Sequence, residues 1–357
     1  MQMLPNFFVV GAARSGTTSL DQYLAQHPEI FITSRKESHY FAADQFPPCT
    51  GPGDAGIRNL LVRDAGAYAE LFASAAGKKA IGESSAFYLH LPGTAERIAQ
   101  AVPDAKIIML LREPVDRTYS AYMFLARDGR EALSLEQGLE EEEERKQQGF
   151  EPMWRYKELS FYYEHVRQYI EVFGEQQVKV LLYEEFYANP AQALRDVFTF
   201  LGVKEDVAID TSVRYNLSGM PKSRKLYTPL NRFIFNPNGL EKRIKSLIPL
   251  HLRKAWASKL IGLSVERISI DPQIQAQLRA YYAEDVKQLQ DLLQRDLACW
   301  GYGEPGAMEM GQQRREQESR IGEYKDKRTA GNDKGADGDH KGKNLEGDLK
   351  GTPLRSR

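Results

Sequence analysis

Four short, largely apolar runs, at residues 7–10, 79–82, 106–111 and 178–183, punctuate the first half of this chain, with longer amphipathic stretches between them. A strand covered on one face alternates apolar and polar residues. Lys106-Ile107-Ile108-Met109-Leu110-Leu111 does not alternate, so it reads as a strand covered on both faces. Parallel strands need long crossovers, and the intervening amphipathic stretches supply them as helices. The sequence therefore predicts an α/β fold, a P-loop-type three-layer α/β/α arrangement with a central parallel sheet. Helices are expected over 17–26, 67–75, 94–101, 114–127, 134–147, 158–173 and 191–201, with a long closing helix over 272–299. Pro114 suits a first helical position, where its missing N–H costs nothing, and Pro190 and Gly202 bracket another helix in the same sense.

Of the 357 residues, 42% are hydrophobic, enough to build the core of one large domain or two modest ones. The apolar pattern stops after Trp300. From Gly303 onward Gly, Lys, Asp, Glu, Arg and Gln dominate, and such a composition cannot bury enough surface to offset ordering entropy. The expected organisation is one domain over 1–302 and a disordered charged tail over 303–357. A formal net charge of -1 argues against a general nucleic-acid binder. Cys49 and Cys299 are the only cysteines and lie far apart, which argues against a disulfide scaffold or zinc cluster and fits a reducing compartment. The first residues are too short and too uncharged for a secretory signal, and no apolar run approaches the roughly 20 residues of a membrane span. A cytoplasmic protein without a transmembrane segment is expected. The basic stretch over 230–260 leaves open peripheral contact with a membrane surface or an acidic polysaccharide, although an amphipathic covering segment is the plainer account.

Two segments point to phosphate chemistry. Gly11-Ala12-Ala13-Arg14-Ser15-Gly16-Thr17-Thr18-Ser19-Leu20 follows a strand and opens a helix. Small residues at Ala13, Ser15 and Gly16 let the backbone wrap an anion, and the helix N-terminus adds partial positive charge. Arg14 contributes a fixed cation, and Thr17 and Thr18 contribute hydroxyls. An ordinary strand–turn–helix connection is the bland alternative. No lysine lies between Gly11 and Leu20, so the segment is not a Walker A loop and does not promise ATP chemistry. The second segment follows the 106–111 strand. A P-loop NTPase strand of this kind would end in a magnesium-holding carboxylate, whereas this one ends in Arg112, with Ser120 two helical turns on. Arginine plus a hydroxyl makes a receptor for a phosphate monoester. A helix-start arginine paired with Glu113 or Asp116 is the alternative. Two anion sites on one crevice, with no metal called for, suit a ligand phosphorylated at both ends.

These residues resemble the sulfotransferases that use 3′-phosphoadenosine-5′-phosphosulfate (PAPS), and most of all the heparan sulfate and carbohydrate branch. The first segment is similar to that family's 5′-phosphosulfate loop. Leu111-Arg112-Glu113-Pro114-Val115-Asp116-Arg117-Thr118-Tyr119-Ser120 resembles its 3′-phosphate segment, which implies that Arg112 and Ser120 hold the 3′-phosphate. Lys36-Glu37-Ser38-His39-Tyr40-Phe41 is similar to its catalytic stretch, in which the glutamate is the base, and Gly82-Glu83-Ser84-Ser85-Ala86-Phe87-Tyr88 to its substrate-cleft segment. Arg14 stands where that branch usually has lysine, and Ser84 where its cleft segment commonly has lysine.

The resemblance implies PAPS as co-substrate, no metal, and a saccharide or glycoconjugate as acceptor, with lipid, phenol and peptide tyrosine also open. Sulfuryl transfer is then an in-line displacement, with Arg14 clamping the leaving phosphate. Glu37 and His39, two apart, project to the same side if the segment is extended, so Glu37 takes the acceptor's proton and His39 orients it, or the reverse. Lys36 and Glu83 are expected to line the acceptor cleft. Tyr183 resembles an adenine-contacting residue, and Lys222 and Arg224 belong to a basic loop that could close over the phosphates. The glutamate run at 140–144 reads as an exposed helix face. Two competing readings are a magnesium-dependent P-loop phosphotransferase and a nucleotide-binding module that has lost its chemistry.

Overall fold

The computed structural model describes residues 3–213, 220–221, 265–266 and 269–302. The chain runs β1 (Phe7–Gly11), α1 (Thr17–Leu24), β2 (Ile30–Ile32), α2 (Ala55–Arg58), α3 (Ala65–Glu70), β3 (Ala80–Ser84), α4 (Thr94–Ala101), β4 (Lys106–Leu111) and α5 (Pro114–Arg127). It continues through α6 (Leu135–Glu140), α7 (Glu142–Gln147), α8 (Tyr163–Phe173), β5 (Val178–Leu182), α9 (Tyr183–Ala188), α10 (Pro190–Leu201), β6 (Met220–Pro221), β7 (Val265–Glu266) and α11 (Pro272–Leu293). The main sheet has the order β2-β3-β1-β4-β5 with every neighbouring pair parallel. β6 and β7 pair antiparallel, and β6 lies against α5.

Strand side chains alternate between faces, and that alternation sorts the core into two layers. Phe7 and Val9 of β1 pack with Leu20 and Leu24 of α1 and Leu194 and Val197 of α10. Phe8 and Val10 point the other way, into a layer with Ile98 of α4, Leu125 of α5, Val166 of α8 and Tyr282 of α11. Both faces are covered, as the unbroken apolar pattern requires. Where β1 and β3 run side by side, a Cβ on Gly82 would come within 2.1 Å of the Phe7 ring, so only glycine fits there.

The order of the sheet fixes where a ligand sits. From β1 the chain turns through α1 toward β2, and from β4 it turns toward β5 on the opposite side. Adjacent strands whose connections leave in opposite directions open a crevice at their C-terminal ends. Residues 12–16 follow β1 and residues 112–116 follow β4, so both anion segments emerge at that crevice.

Several elements differ from the sequence expectation. β2 has only three residues, too few for a periodicity to show, yet it pairs with β3 from Ile30↔Ala80 to Ile32↔Gly82. The helix expected over 134–147 breaks at Glu141 into α6 and α7. Glu142 turns inward there, accepting the N–H groups of Lys157 (2.8 Å) and Glu158 (2.9 Å). The 140–144 run is therefore an exposed face with one buried exception, and that carboxylate anchors the next segment. The 158–173 expectation resolves into a 3₁₀ turn at Glu158–Ser160 followed by α8, and the closing helix stops at Leu293, where Gln294 adopts φ 47°. Cys49 and Cys299 are free thiols. Lys222, Arg224, the basic 230–260 stretch and the 303–357 tail lie outside the described residues. Among the described residues, no helix is long and apolar enough to cross a membrane.

Candidate active site

The β1–α1 loop is built around two left-handed residues, Arg14 (φ 72°) and Gly16 (φ 96°). At Gly16 a Cβ would meet Tyr187 at 3.2 Å and Leu110 and Tyr183 at 3.3 Å, so space and backbone both call for glycine. The loop leads directly into the first turn of α1, where helix N–H groups favour an anion. Arg14 Nε donates to Ser120 Oγ at 3.3 Å, and its guanidinium lies 4.6 Å from the Phe124 ring centroid. Arg112 donates through Nη1 to the Arg14 carbonyl at 3.4 Å, and its guanidinium lies 4.6 Å from the Tyr183 ring. The two anion segments, about a hundred residues apart in sequence, thus meet in one crevice. Tyr183 flanks the crevice on the Arg112 side.

This concentration of positive charge shows in its ionisation. Burial, and then the guanidinium groups of Arg127, Arg112 and Arg117, push Arg14 down to about 9, so it stays charged at neutral pH but under strong repulsion. A bound anion would relieve that repulsion. Arg112 is stabilised in the opposite sense. Burial disfavours its charge, but Asp116, at 3.9 Å, heads a group of neighbours that raises it above the ordinary value.

The second half of the site comes from the segment after β2, which continues along β3: Thr33 N–H donates to Gly82 O and Glu37 N–H to Ser84 O. The expected extended run is not what forms. Glu37 (φ 61°) and His39 (φ 48°) are both left-handed, so the chain kinks twice around Ser38. The kinks still bring the pair together, with His39 Nε2 3.2 Å from Glu37 Oε2, although the angle is off the hydrogen-bond direction. The same Oε2 accepts the Ala86 N–H at 2.8 Å. Burial alone would raise the Glu37 carboxyl, but His39, Lys36 and that N–H together hold it below the ordinary carboxylate value. Its side chain is 21% exposed, whereas His39 is 0% exposed and stacked among Phe46, Phe87 and Tyr88. Glu37 is thus the member of the pair that reaches solvent.

Lys36 binds the two halves together. Its Nζ lies 2.6 Å from Asp21 Oδ2, 2.9 Å from Thr17 Oγ1 and 3.4 Å from Thr18 Oγ1, all on α1, and 3.9 Å from Glu37 Oε1.

Comparison with known proteins settles the family. The sulfotransferase family profile matches residues 5–206, more than half of the chain. A solved sulfotransferase from Alicyclobacillus acidocaldarius is 41% identical, covers 84% of this chain and 99% of its own, and superposes with a TM-score of 0.67. The chain belongs to the sulfotransferase family. The membrane-associated sulfotransferase kil1 of Dictyostelium discoideum is 40% identical over 121 residues, 34% of this chain and 23% of that protein. Mouse carbohydrate sulfotransferase 15 is 26% identical over 262 residues, covering 57% of this chain and 44% of that protein. Mouse bifunctional heparan sulfate N-deacetylase/N-sulfotransferase 3 is 28% identical over 209 residues, or 56% and 22%. The chain spans less than half the length of each of these three curated relatives.

Two residues expected to line the acceptor cleft have other neighbours. Glu83, read from sequence as lining the acceptor cleft, is fully buried beneath it. Its carboxylate accepts from Ser38 Oγ (2.7 Å), Ser85 Oγ (2.5 Å), Tyr68 OH (3.0 Å) and Tyr88 OH (3.0 Å). Burial raises its pKa and the four hydroxyls pull it part of the way back. It braces the segment around Ser38. Lys36, also expected to line the acceptor cleft, has its ammonium 2.9 Å from Thr17 Oγ1 on α1. Two further buried residues support this region. Arg117, fully buried, donates to Ala13 O (3.0 Å) and Tyr156 O (3.1 Å), and so supports the anion loop from behind. Asp21 lies on the buried face of α1. Its signal in the sequence was a lone acid among Leu20, Tyr23 and Leu24, four residues after Thr17.

Proposed function

We propose that this sulfotransferase moves a sulfuryl group from PAPS to a hydroxyl or amine of a saccharide or glycoconjugate, with Glu37 as the base. The observation that carries this reading is the adjacency of a charged, partly exposed carboxylate to the β1–α1 loop: one ammonium, that of Lys36, lies 2.9 Å from Thr17 Oγ1 and 3.9 Å from Glu37 Oε1. Glu37 takes the proton from the acceptor oxygen or nitrogen, which forms its bond to sulfur. The bond from sulfur to the bridging oxygen breaks, and its electron pair leaves on the 5′-phosphate, giving adenosine 3′,5′-bisphosphate. Arg14 and the loop stabilise that leaving charge, while Arg112 and Ser120 hold the 3′-phosphate. His39 keeps Glu37 in place. The saccharide class is supported by the names of two relatives, carbohydrate sulfotransferase 15 and the heparan sulfate N-sulfotransferase.

Transfer of labelled sulfate from PAPS to a panel of saccharides, phenols, lipids and tyrosine peptides tests the reaction. Glu37→Gln should lower turnover by about a hundredfold or more while binding adenosine 3′,5′-bisphosphate as well as the parent. Full activity in Glu37→Gln together with its loss in His39→Ala would hand the base role to His39. Chelation of divalent metal should leave transfer unchanged, and a loss would favour the magnesium-dependent phosphotransferase.

A further inference from the structure

Lys36 is the one residue whose position departs from its expected role in a way that adds to the chemistry. It arrives from the segment after β2, yet its ammonium lies against the first two turns of α1, 2.6 Å from Asp21 Oδ2 and 2.9 Å from Thr17 Oγ1. Asp21 is one turn beyond Thr17 on the same helix, so the two form a cradle on one face. An ammonium carries three donors and no acceptor, so the Thr17 hydroxyl can only accept from it. A hydroxyl oxygen that accepts from a cation turns its own proton away and becomes a stronger donor. In front of that first turn lies the seat formed by residues 12–16, in a loop that holds no lysine of its own.

The geometry points to Lys36 as a donor-side positioning residue: held by Asp21, it aims the Thr17 hydroxyl at the 5′-phosphate of the donor and adds a positive charge at that end. This rests on the donor reading above and deepens it. The acceptor-binding role is thereby withdrawn from Lys36. The same ammonium lies 3.9 Å from Glu37 Oε1.

Calorimetry on the full chain with two nucleotides tests the assignment, one with both phosphates (adenosine 3′,5′-bisphosphate) and one without the 5′-phosphate (adenosine 3′-monophosphate). Lys36→Met should weaken the bisphosphate by about ten- to a hundredfold and leave the monophosphate unchanged. Thr17→Val should show the same selectivity, and the double variant should lose less than the product of the two single losses, because the groups act as one unit. Lys36 is 24% exposed, so its replacement is expected to fold, and Thr17→Val reads the same contact from the other side. Equal weakening of both nucleotides would show a structural role, and no weakening with a raised acceptor KM would return Lys36 to the acceptor. Either result overturns this assignment and leaves the donor reading intact. If the unaltered protein binds neither nucleotide, the donor reading itself falls.

Discussion

Glu37 works against its surroundings. A half-buried carboxyl ordinarily takes up a proton more easily than a solvated one, yet His39, Lys36 and the Ala86 N–H reverse that tendency. A carboxyl held below the ordinary carboxylate value is already ionised at neutral pH. For a carboxylate base of this kind, kcat/KM should stay flat as the pH falls from neutrality, and drop only below the usual carboxylate range. Because the folded-state value is depressed, the stability that Glu37 contributes is present above its unfolded value and is lost as the pH falls through the folded one. A pH–rate profile with an acid limb near neutrality, where imidazoles ordinarily titrate, would contradict this assignment.

At the scale of elements, the segment carrying Glu37 and His39 has almost no regular structure of its own. It is held because β3 runs beneath it and offers Glu83 as a common acceptor. Four hydroxyls converge there, from the segment itself (Ser38), from α3 (Tyr68) and from the stretch after β3 (Ser85 and Tyr88). Tyr88 OH in turn accepts the Phe41 N–H at 3.1 Å, and Ser85 Oγ the His39 N–H at 3.0 Å. Glu83→Ala strips this network of its centre and leaves buried hydroxyls unsatisfied, so it should cost about 3 kcal/mol or more in denaturant unfolding. Glu83→Gln, which keeps an acceptor oxygen and the side-chain volume, should cost distinctly less. Equal losses in the two variants would mean that only packing is at stake.

For the whole molecule, the last described residues tie back to the start of α5 and to α9. Trp300 Nε1 donates to Glu184 Oε2 at 2.8 Å, and Glu184 Oε1 accepts the Glu113 N–H at 3.2 Å. Tyr302 OH donates to Glu113 Oε1 at 2.9 Å, and the other oxygen of Glu113 caps the start of α5 by accepting the Asp116 N–H at 2.7 Å. Arg112 is the residue immediately before this cap. A chain ending after Tyr302 should therefore keep the melting temperature and the affinity for adenosine 3′,5′-bisphosphate, whereas one ending before Trp300 should lose both. Calorimetry and thermal melting of the two truncations check this. Reduced affinity in the longer one would give residues 303–357 a part in donor binding.

What the sequence determined by itself was local. Apolar runs named four of the five strands of the main sheet, because a strand buried on both faces leaves an unbroken signal. Helices α4 and α5 fell on their expected bounds, since Pro114 and the apolar spacing act within a few residues. Gly16 marked the tight turn between β1 and α1, because a left-handed position before a helix restricts residue type. What only the tertiary structure decided involves chain segments distant in sequence: the placing of Arg14 against Ser120, of Lys36 against α1, and of Glu83 beneath the site. A single charged side chain reads the same in sequence whether it faces a ligand, a neighbouring strand or a buried hydroxyl. Sheet order and the short edge strand β2 choose among these, and both arise from long-range pairing that no local pattern encodes.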